Sequence, residues 1–473
     1  MLTLVVFLNF FFEVWPSEST IWVSYRNFNY IRAVVQGPQD IYAGTTQGLI
    51  RYNFRTRVWE EPYTTSNGLH ENQVEGLYYD EQEMILWIKT PTGLERYHPY
   101  FNDFESVPIS HLNPALFFSQ KNLPAIPLYM NDNFSYMPED GVIRDNYSRI
   151  FRISDFMADR FSNIWVGTWG DGLYQGSLHM QKLEKMPYSL IESNVAAMGF
   201  DGENIWFGGV NQSAGITRFN HKKKLWTHYS SQFTAGLTDN NVTSICVTPD
   251  FIWFGTWGGL LRFEKKNEQW KHFTELPHNN ITVLTQDDSL LWIGTVRGMG
   301  MLNMQQGSFN SAKFLENREI LDIQVKDTLI WVASQEGLCI FHKTRRRWQI
   351  LGDIPILKDR ICSSLFLDHD RIWIGTQVGL FFLRLEDHTW AQVPMAKPFE
   401  DAPIYGIDGD INRLWIALDE GVLCYLKKKG QWKYYRQEDG LIDNKVQSIA
   451  VDGEYVWFGT PTGVTRFWWE RGE

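Results

Sequence analysis

The chain has 473 residues, of which 15% are aromatic and 21% are charged. So many large apolar side chains can form an extensive core, which excludes an intrinsically disordered chain. The formal net charge of −11 excludes a general nucleic-acid-binding protein, because such a protein needs a dominant basic surface.

The first twelve residues are almost wholly apolar, but the stretch is too short to span a bilayer. We interpret residues 1–19 as a signal-peptide-like segment, although no Lys or Arg precedes it and no clear Ala-x-Ala site follows it. The alternative is a terminal strand that packs on the body. The first interpretation predicts an exported protein, periplasmic or extracellular, and no other stretch of the sequence is a candidate membrane span.

A short phrase then recurs through residues 20–473, which we interpret as one series of propeller repeats. It reads Ile-Trp-Val-Gly-Thr from Ile164, Ile-Trp-Phe-Gly-Thr from Ile252 and Leu-Trp-Ile-Gly-Thr from Leu291. Its anchor aromatics are 39 to 47 residues apart, except for one gap of 78, and they are Tyr42, Trp87, Trp165, Trp206, Trp253, Trp292, Trp331, Trp373, Trp415 and Trp457. A period near forty with short apolar runs and glycine turns predicts an all-β fold of four-stranded antiparallel propeller blades.

One repeat shows the expected plan of a blade. Residues 242–247, 251–255, 260–263 and 269–273 are short apolar or alternating runs between turn residues, and they predict strands A, B, C and D. Strand B is almost continuously apolar, so its Trp should pack between neighbouring blades. An Asn recurs two residues before strand A, at Asn72, Asn240, Asn279 and Asn444, where we expect it to hold a turn.

The number and closure of the blades can also be predicted. The gap of 78 residues leaves room for one degenerate blade or an insertion at residues 101–146, so we expect about 10–11 blades. The last repeat supplies only strands A, B and C, and residues 20–25 resemble a strand D. The N-terminal strand should therefore complete the last blade and close one ring, which removes exposed sheet edges. Two smaller propellers are the alternative.

The motif Leu/Ile-Trp-Ile/Phe-Gly-Thr-x-x-Gly-Leu closely resembles the two-component regulator propeller repeat. That resemblance implies a sensor-type, extracytoplasmic β-propeller of the kind found in bacterial hybrid two-component systems, many of which recognise glycans. The sequence shows no histidine-kinase, receiver or DNA-binding segment, so we expect a free-standing binding or accessory protein rather than direct phosphorelay signalling.

The variable residues of the B–C turns are the candidate ligand contacts, because function on repeat scaffolds lies in the turns of one face. Trp169 and Trp257 stand where the scaffold does not require Trp, and aromatic faces stack on sugars while amides and carboxylates bind hydroxyls. The candidate ligand-binding residues are Trp169, Asp171, Asn211, Trp257, Arg297, Gln335, Glu336, Gln377 and Asp419. Packing between turns is the alternative role for the two Trp residues.

The C–D turns carry basic residues instead. They contain Arg55, Arg57, Lys222–Lys224, Lys265–Lys266, Arg345–Arg347 and Lys427–Lys429. These side chains are either solvated hairpin charges that protect sheet edges or a basic rim that binds an acidic protein partner.

No catalytic motif is present in the sequence, and we expect neither a cofactor nor a metal. Cys246, Cys339, Cys362 and Cys424 lie in separate apolar runs, so we expect buried, unpaired thiols. The expected function is non-catalytic binding of a glycan or other small ligand. A protein–protein interaction platform is the alternative, and a polysaccharide-type or virginiamycin-type lyase is a further one, since propellers also carry enzymes.

Overall fold

The computed structural model describes residues 21–108, 117, 129–130, 134–137, 141–145, 147–177, 179, 182–210, 215–274, 276, 278–311, 315–350, 360–387 and 389–471. The signal-peptide-like segment 1–19 lies outside these residues. Within them the chain forms ten antiparallel sheets, nine of four strands and one of seven, in which β10 alone pairs in parallel. The prediction of an all-β chain of four-stranded blades is therefore confirmed.

Seven of the sheets form the first body, which we call the ring. Its strands are β17 (Ala197–Asp201), β18 (Asn204–Gly208), β19 (Ile216–Asn220), β20 (Leu225–Tyr229), β21 (Val242–Val247), β22 (Phe251–Thr256), β23 (Leu260–Glu264), β24 (Gln269–Phe273), β25 (Ile281–Asp287), β26 (Leu290–Thr295), β27 (Gly298–Asn303), β28 (Phe309–Ser311), β29 (Ile320–Lys326), β30 (Leu329–Ser334), β31 (Gly337–His342), β32 (Arg347–Ile350), β33 (Cys362–Leu367), β34 (Arg371–Thr376), β35 (Gly379–Arg384), β36 (Trp390–Val393), β37 (Gly406–Gly409), β38 (Arg413–Leu418), β39 (Gly421–Leu426), β40 (Gln431–Tyr435), β41 (Ser448–Asp452), β42 (Tyr455–Thr460), β43 (Gly463–Trp468) and the N-terminal β1 (Trp22–Tyr25). One 3₁₀ turn, Gln437–Asp439, precedes β41.

The other three sheets form the second body, which we call the arc. Its strands are β2 (Ile31–Gln36), β3 (Asp40–Thr45), β4 (Leu49–Asn53), β5 (Val58–Trp59), β6 (Gly76–Asp80), β7 (Ile85–Lys89), β8 (Leu94–His98), β9 (Asp103–Val107), β10 (Tyr129–Met130), β11 (Phe134–Met137), β12 (Val142–Asp145), β13 (Ile150–Ala158), β14 (Asn163–Thr168), β15 (Leu173–Ser177) and β16 (Lys182–Met186).

The N-terminal strand closes the last blade of the ring, as predicted. β1 pairs antiparallel with β43, so that Trp22 lies opposite Phe467, and the two rings stack with centroids 3.9 Å apart. This pairing gives the last blade its fourth strand from a segment that is more than 400 residues away in the chain. Closure of this kind covers an edge that would otherwise be open to pairing with another chain.

The ring closes over seven blades, which corrects the expectation that one ring holds every blade. The strands A of successive blades contact one another from β17 to β41, and β41 contacts β17 again. Val195 N–H donates to Thr460 O at 2.9 Å across this closure, as Val446 N–H donates to Leu418 O at 3.1 Å between consecutive blades. The alternative of two smaller propellers holds for the ring, which contains the terminal repeats, but among the described residues the three blades of the arc show no packing of β6 against β13 that would close a second propeller. Ring membership depends on contacts across blades, and a sequence period does not contain that information.

The arc packs its blades in the same manner as the ring but in an order that differs from the chain order. β2 contacts both β6 and β13, so the first blade of the chain lies between the other two. Val34 N–H donates to Asp155 Oδ2 at 2.7 Å across one of these boundaries. Leu365 N–H donates to Asp322 Oδ2 at the same distance between two ring blades.

The segment at residues 101–146 contributes to two different sheets in its described part. β9 is strand D of the blade that begins at β6. β11 and β12 form a hairpin that extends the sheet of β13 to β16 beyond its strand A. None of the described residues of this segment forms a separate eleventh sheet.

The signature Trp residues are scaffold, as their periodicity predicted. Trp165, Trp253 and Trp331 are fully buried, and their equivalents in the other blades are no more than 6% exposed. Apolar clusters fill the boundaries between blades, and the largest cluster joins arc and ring, where Tyr188 contacts Trp59 and Trp226 with ring centroids 4.4 and 5.8 Å away.

Three of the four linker Asn residues hold a turn as expected, Asn279 remains a prediction, and the Cys residues are buried as expected. Asn72, Asn240 and Asn444 each accept a backbone N–H at 2.8 Å from the start of their own linker, which fixes the linker before strand A. All four cysteines are buried free thiols. Burial raises the pKa of Cys246 to about 11, so its thiol is unreactive at neutral pH.

Candidate functional site

The B–C turns of the ring share one face with its D–A linkers, because strands alternate in direction through each blade. We call this the B–C face, and we use the same name for the face of the arc that carries its B–C turns. The candidate residues Trp257, Arg297 and Gln377 lie on it in three different blades, and all three are exposed. Trp169 and Asp171 lie on the corresponding turn of the arc rather than of the ring. The structure therefore divides the predicted residues between two bodies.

Trp169 differs from the signature Trp residues in its exposure. It is 44% exposed, whereas Trp165, four residues earlier, is fully buried. Tyr30 packs edge-on against the indole with ring centroids 5.3 Å apart. The guanidinium of Arg32 lies 5.5 Å above the same ring. One aromatic face is therefore held in position beside a cation.

Hydrogen bonds of the backbone fix the turn that carries Trp169. Trp169 N–H donates to Arg152 O at 2.8 Å, and Gly170 and Gly172 N–H donate to Asn29 O at 3.0 and 2.9 Å. Both glycines have positive φ values, 107° and 85°, which suit a residue without a Cβ atom. The indole is thus presented by a rigid turn, which limits the entropy lost when a ligand stacks on it.

Trp257 is the corresponding exposed aromatic on the ring, and it is 45% exposed. Its turn is fixed by Gly258 N–H, which donates to Asp239 Oδ2 at 2.6 Å. His272 Nε2 lies 3.2 Å from Gly258 O on the other side. This indole, like that of Trp169, is displayed on an ordered turn.

Asp171 is occupied by internal contacts. It is 5% exposed and bonds to Tyr174 Oη and, at 2.7 Å, to Lys185 Nζ. The ion pair of Asp171 with Lys185 stabilises the hairpin between β15 and β16. Asp171 therefore has a structural role in the turn that carries Trp169.

Three other candidates pair with the D–A linker of their own blade. Gln335 bonds to Glu319, and Glu336 Oε2 lies 3.2 Å from Arg318 Nε. Asp419 Oδ2 accepts the Tyr405 hydroxyl at 2.5 Å, and this hydrogen bond, with some desolvation, raises the pKa of Tyr405. All three candidate side chains remain exposed. Asn211 lies outside the described residues.

Sequence reasoning missed the aromatic residues of the linkers. Tyr147 of the arc and Phe233 of a ring linker are both exposed, with ring centroids 4.5 Å apart. Arg149 lies 4.3 Å above the Phe233 ring and pairs with Asp145 at 2.6 Å. Like Tyr30, these residues lie outside the repeated motif, so the period gave no signal for them.

The basic residues of the C–D turns are partly neutralised. Lys265 pairs with Asp201 at 2.6 Å, and Lys427 pairs with Asp368 at 2.5 Å, in both cases on the preceding blade. Lys222 pairs with Glu203 at 2.8 Å, and Lys224 pairs with Glu60 of the arc at 2.6 Å. These lysines stabilise contacts between elements, which reduces the charge they offer to a partner.

One C–D turn is different, because it borders a groove between two arc blades. The groove has a volume of about 630 Å³ and is lined by Pro38, Tyr52, Phe54, Arg55, Arg57, Arg160, Phe161, Asn163, Gln175, Gly176, Ser177 and Glu184. It opens on the face of the A–B and C–D turns, opposite the B–C face.

Comparisons with known proteins agree with this architecture. The model of the two-component regulator propeller family matches residues 236–258. The extracellular domain of the putative one-component system BT4673 from B. thetaiotaomicron superposes with a TM-score of 0.51 and 17% identity, over 92% of this chain and 70% of that one. The extracellular domain of the putative hybrid two-component system BT3049 from the same organism superposes with a TM-score of 0.51 and 17% identity. The superposition covers 93% of this chain and 68% of that one.

A third similar structure is PorZ, a surface component of the type-IX secretion system of Porphyromonas gingivalis. It superposes with a TM-score of 0.61 and 13% identity, over 95% of this chain and 87% of that one. At these identities the likeness shows the fold. No curated protein matches the sequence. In the described part of the chain, no helix is long and apolar enough to cross a membrane.

Proposed function

We propose that the chain is a non-catalytic, extracytoplasmic binding module of the sensor type, and the match of residues 236–258 to the model of the two-component regulator propeller family supports this proposal. It recognises a glycan or another small ligand on the B–C face. Its similarity to extracellular propeller domains supports an exported location, periplasmic or extracellular.

The observation that carries this proposal is the exposure of two Trp residues that lie outside the repeated motif. Trp169 and Trp257 are 44% and 45% exposed, whereas the signature Trp residues are at most 6% exposed. Large aromatic rings held on the surface by ordered turns are suited to stacking on the C–H faces of a sugar.

Polar side chains on the B–C turns and beside Trp169 can supply the hydrogen bonds that a sugar requires. Arg32 is the cation beside Trp169. On the ring, four successive B–C turns carry exposed polar residues. They are Arg297, then Gln335 and Glu336, then Gln377, and then Asp419. Amides, guanidinium groups and carboxylates together can bind both donors and acceptors on sugar hydroxyls. We propose these residues, with Asn211, as ligand contacts, and Asp171 as a support for the Trp169 turn.

The ion pairs of the C–D turns favour this function over a protein platform on the opposite face, because several of the lysines are already paired. Among the described residues, no three His, Cys, Asp or Glu side chains are grouped so that they could hold a metal ion.

The test is a thermal-shift and calorimetric panel of neutral oligosaccharides on the full chain. A ligand at about 100 times its dissociation constant should raise the free energy of unfolding by roughly 2.7 kcal/mol. The shift should be lost in Trp169→Ala or Trp257→Ala, according to the body that binds.

Trp390→Ala is the matched control, because Trp390 is 39% exposed but lies on a strand D. Equal losses in Trp390→Ala and in the two test variants would contradict the proposal. So would the absence of binding to every sugar by a protein that unfolds cooperatively.

A further inference from the structure

The groove between two arc blades carries a local charge opposite to that of the chain. Its lining contains three arginines, Arg55, Arg57 and Arg160, and one acidic residue, Glu184. Three positive charges and one negative charge give a net charge of +2, in a chain whose net charge is −11. An acidic protein that places a basic concavity on its surface attracts anions to that place.

The turn that carries two of these arginines is rigid. The Asn53 side chain accepts the backbone N–H groups of Arg55 and Thr56, both at 3.0 Å. Arg57 N–H donates to Asn53 O at 2.8 Å, and Arg57 has a φ of 59°. Arg55 and Arg57 are therefore projected two residues apart from a fixed hairpin.

These two guanidinium groups have no carboxylate partner among the described residues. The lysines of several ring C–D turns do have one, such as Lys265 with Asp201. Arg160 reaches only the exposed Glu81, at 3.5 Å. An exposed pair at that distance contributes little, so Arg160 can turn to a ligand at a small free-energy cost. The groove is thus lined by three arginines, two of them without a carboxylate partner among the described residues, and guanidinium groups can bind carboxylate, sulfate or phosphate oxygens.

The groove also offers apolar rings. Phe54 and Phe161 lie in it with ring centroids 5.4 Å apart, and Phe161 is exposed. Its volume of about 630 Å³ lies within the range of roughly 300–1,000 Å³ that is common for small-molecule sites. A site for an inorganic ion needs neither this volume nor aromatic walls. The combination suits an organic anion with both acidic groups and apolar faces.

We propose that this groove is a second binding site, which takes a short acidic oligosaccharide. The arginines bind the acidic groups, and the phenylalanine rings pack against the sugar C–H faces. The site lies on the face opposite Trp169 and Trp257, so it is independent of the glycan site proposed above.

The test is calorimetric titration of the full chain with trigalacturonate, maltotriose and inorganic phosphate at low and moderate salt. We expect saturable binding of trigalacturonate, at least tenfold weaker binding of maltotriose and of phosphate, and weakening of the trigalacturonate affinity as salt is added. The Arg55→Gln/Arg57→Gln/Arg160→Gln variant should bind trigalacturonate at least tenfold more weakly.

Arg345→Gln/Arg346→Gln/Arg347→Gln is the matched control. This variant also loses three positive charges, but from another C–D hairpin, in which Arg346 has a φ of 49°. It should bind trigalacturonate with the affinity of the parent. Trp169→Ala/Trp257→Ala should also bind trigalacturonate normally, which separates this site from the glycan site.

Three results would overturn the proposal. Equal weakening in the two arginine variants would show a general charge effect. Equal affinity for maltotriose would remove the role of the arginines, and equal affinity for phosphate would reduce the groove to a simple anion site. Failure of all neutral sugars to bind, with trigalacturonate still bound, would contradict only the function proposed for the B–C face.

Discussion

Lys427 Nζ of one ring blade lies 2.5 Å from Asp368 Oδ2 of the preceding blade. The same carboxylate oxygen accepts the indole N–H of Trp373 at 3.3 Å. Although burial raises the pKa of Asp368, the hydrogen bond and the charge of Lys427 lower it overall. Lys343, Asp287 and Trp292 repeat the arrangement with bonds of 2.5 and 3.1 Å. An ion pair between blades therefore also positions a signature Trp.

Replacing Lys427 should destabilise the ring. Lys427 and Asp368 side chains are 13% and 15% exposed, so Lys427→Met leaves a largely buried carboxylate without its cation. We expect a loss of about 2–3 kcal/mol in the free energy of unfolding, measured by urea denaturation. Lys429→Met, in the same turn but exposed, should change it by less than about 0.5 kcal/mol. Similar losses in both variants would show that the pair does not stabilise the ring.

Two strand A carboxylates should make stability depend on pH. Desolvation is the largest effect on Asp322 and Asp408 and raises the pKa of each to about 6, despite hydrogen bonds from Leu365 and Val451 N–H. The folded protein therefore binds these protons more tightly than the unfolded chain, where the pKa is near 3.8. Their contribution to stability is greatest below pH 3.8 and is lost as the pH rises through about 6.

The Asp322→Asn/Asp408→Asn variant isolates this effect. Relative to the variant, the parent should lose about 2–4 kcal/mol between pH 4 and pH 7.5, which is the order expected from two such shifts with partial access to water. Urea denaturation of both proteins at the two pH values measures the difference. A constant difference across this range would mean that neither carboxyl group titrates there.

Gly440→Ala should loosen the strand that closes the last blade. Gly440 has a φ of 125°, and a Cβ atom there would lie 2.5 Å from Trp22 Cγ. An Ala therefore has to displace Trp22 and adopt an unfavourable backbone conformation, at a cost of about 1–3 kcal/mol. Hydrogen exchange should show reduced protection of β1 and β43.

Gly453→Ala is the control for that experiment. Gly453 also has a positive φ, 57°, but no atom lies within 4 Å of its Cβ position. Gly453→Ala should lower the free energy of unfolding by less than Gly440→Ala does, and the hydrogen-exchange protection of β1 should not change. If the two variants behave alike, backbone strain rather than contact with Trp22 is responsible.

Glu61 and Arg466 should couple the arc to the ring. Their side chains are 2.5 Å apart and 36% and 15% exposed. A double-mutant cycle with Glu61→Gln and Arg466→Gln should give a coupling of about 1–2 kcal/mol in thermal unfolding. A cycle on the exposed pair of Lys222 and Glu203 should give a smaller value. No coupling at Glu61 would mean that this ion pair does not contribute to holding the two bodies together.

The repeat made most of the local structure predictable. Strand B positions, the burial of Trp253 and the role of Asn240 follow from residues that recur once per blade, and the resemblance of residues 20–25 to a strand D predicted the closure. The split into ring and arc did not follow, because each blade carries the same signals whichever neighbour it contacts.

The candidate site was predictable only in part. The exposure of Trp169 and Trp257 agrees with their position outside the repeat register, while the contact of Trp169 with Tyr30 shows that packing between turns also occurs there. The burial of Asp171 depends on Lys185, a residue of the next hairpin, and the Arg55 groove depends on Arg160, which is about one hundred residues away in the chain. Such long-range proximity has no periodic signal.

The pairing of β1 with β43 makes the arc an insertion within the ring. β1 ends at Tyr25 and β17 begins at Ala197, so the arc occupies the position of a D–A linker, which spans only residues 230–241 between β20 and β21. Both ends of the arc thus meet at the seam where the first and last parts of the chain come together. During synthesis, the contacts of the arc with the last blade, such as Glu61 with Arg466, can form only when the final repeat has been made.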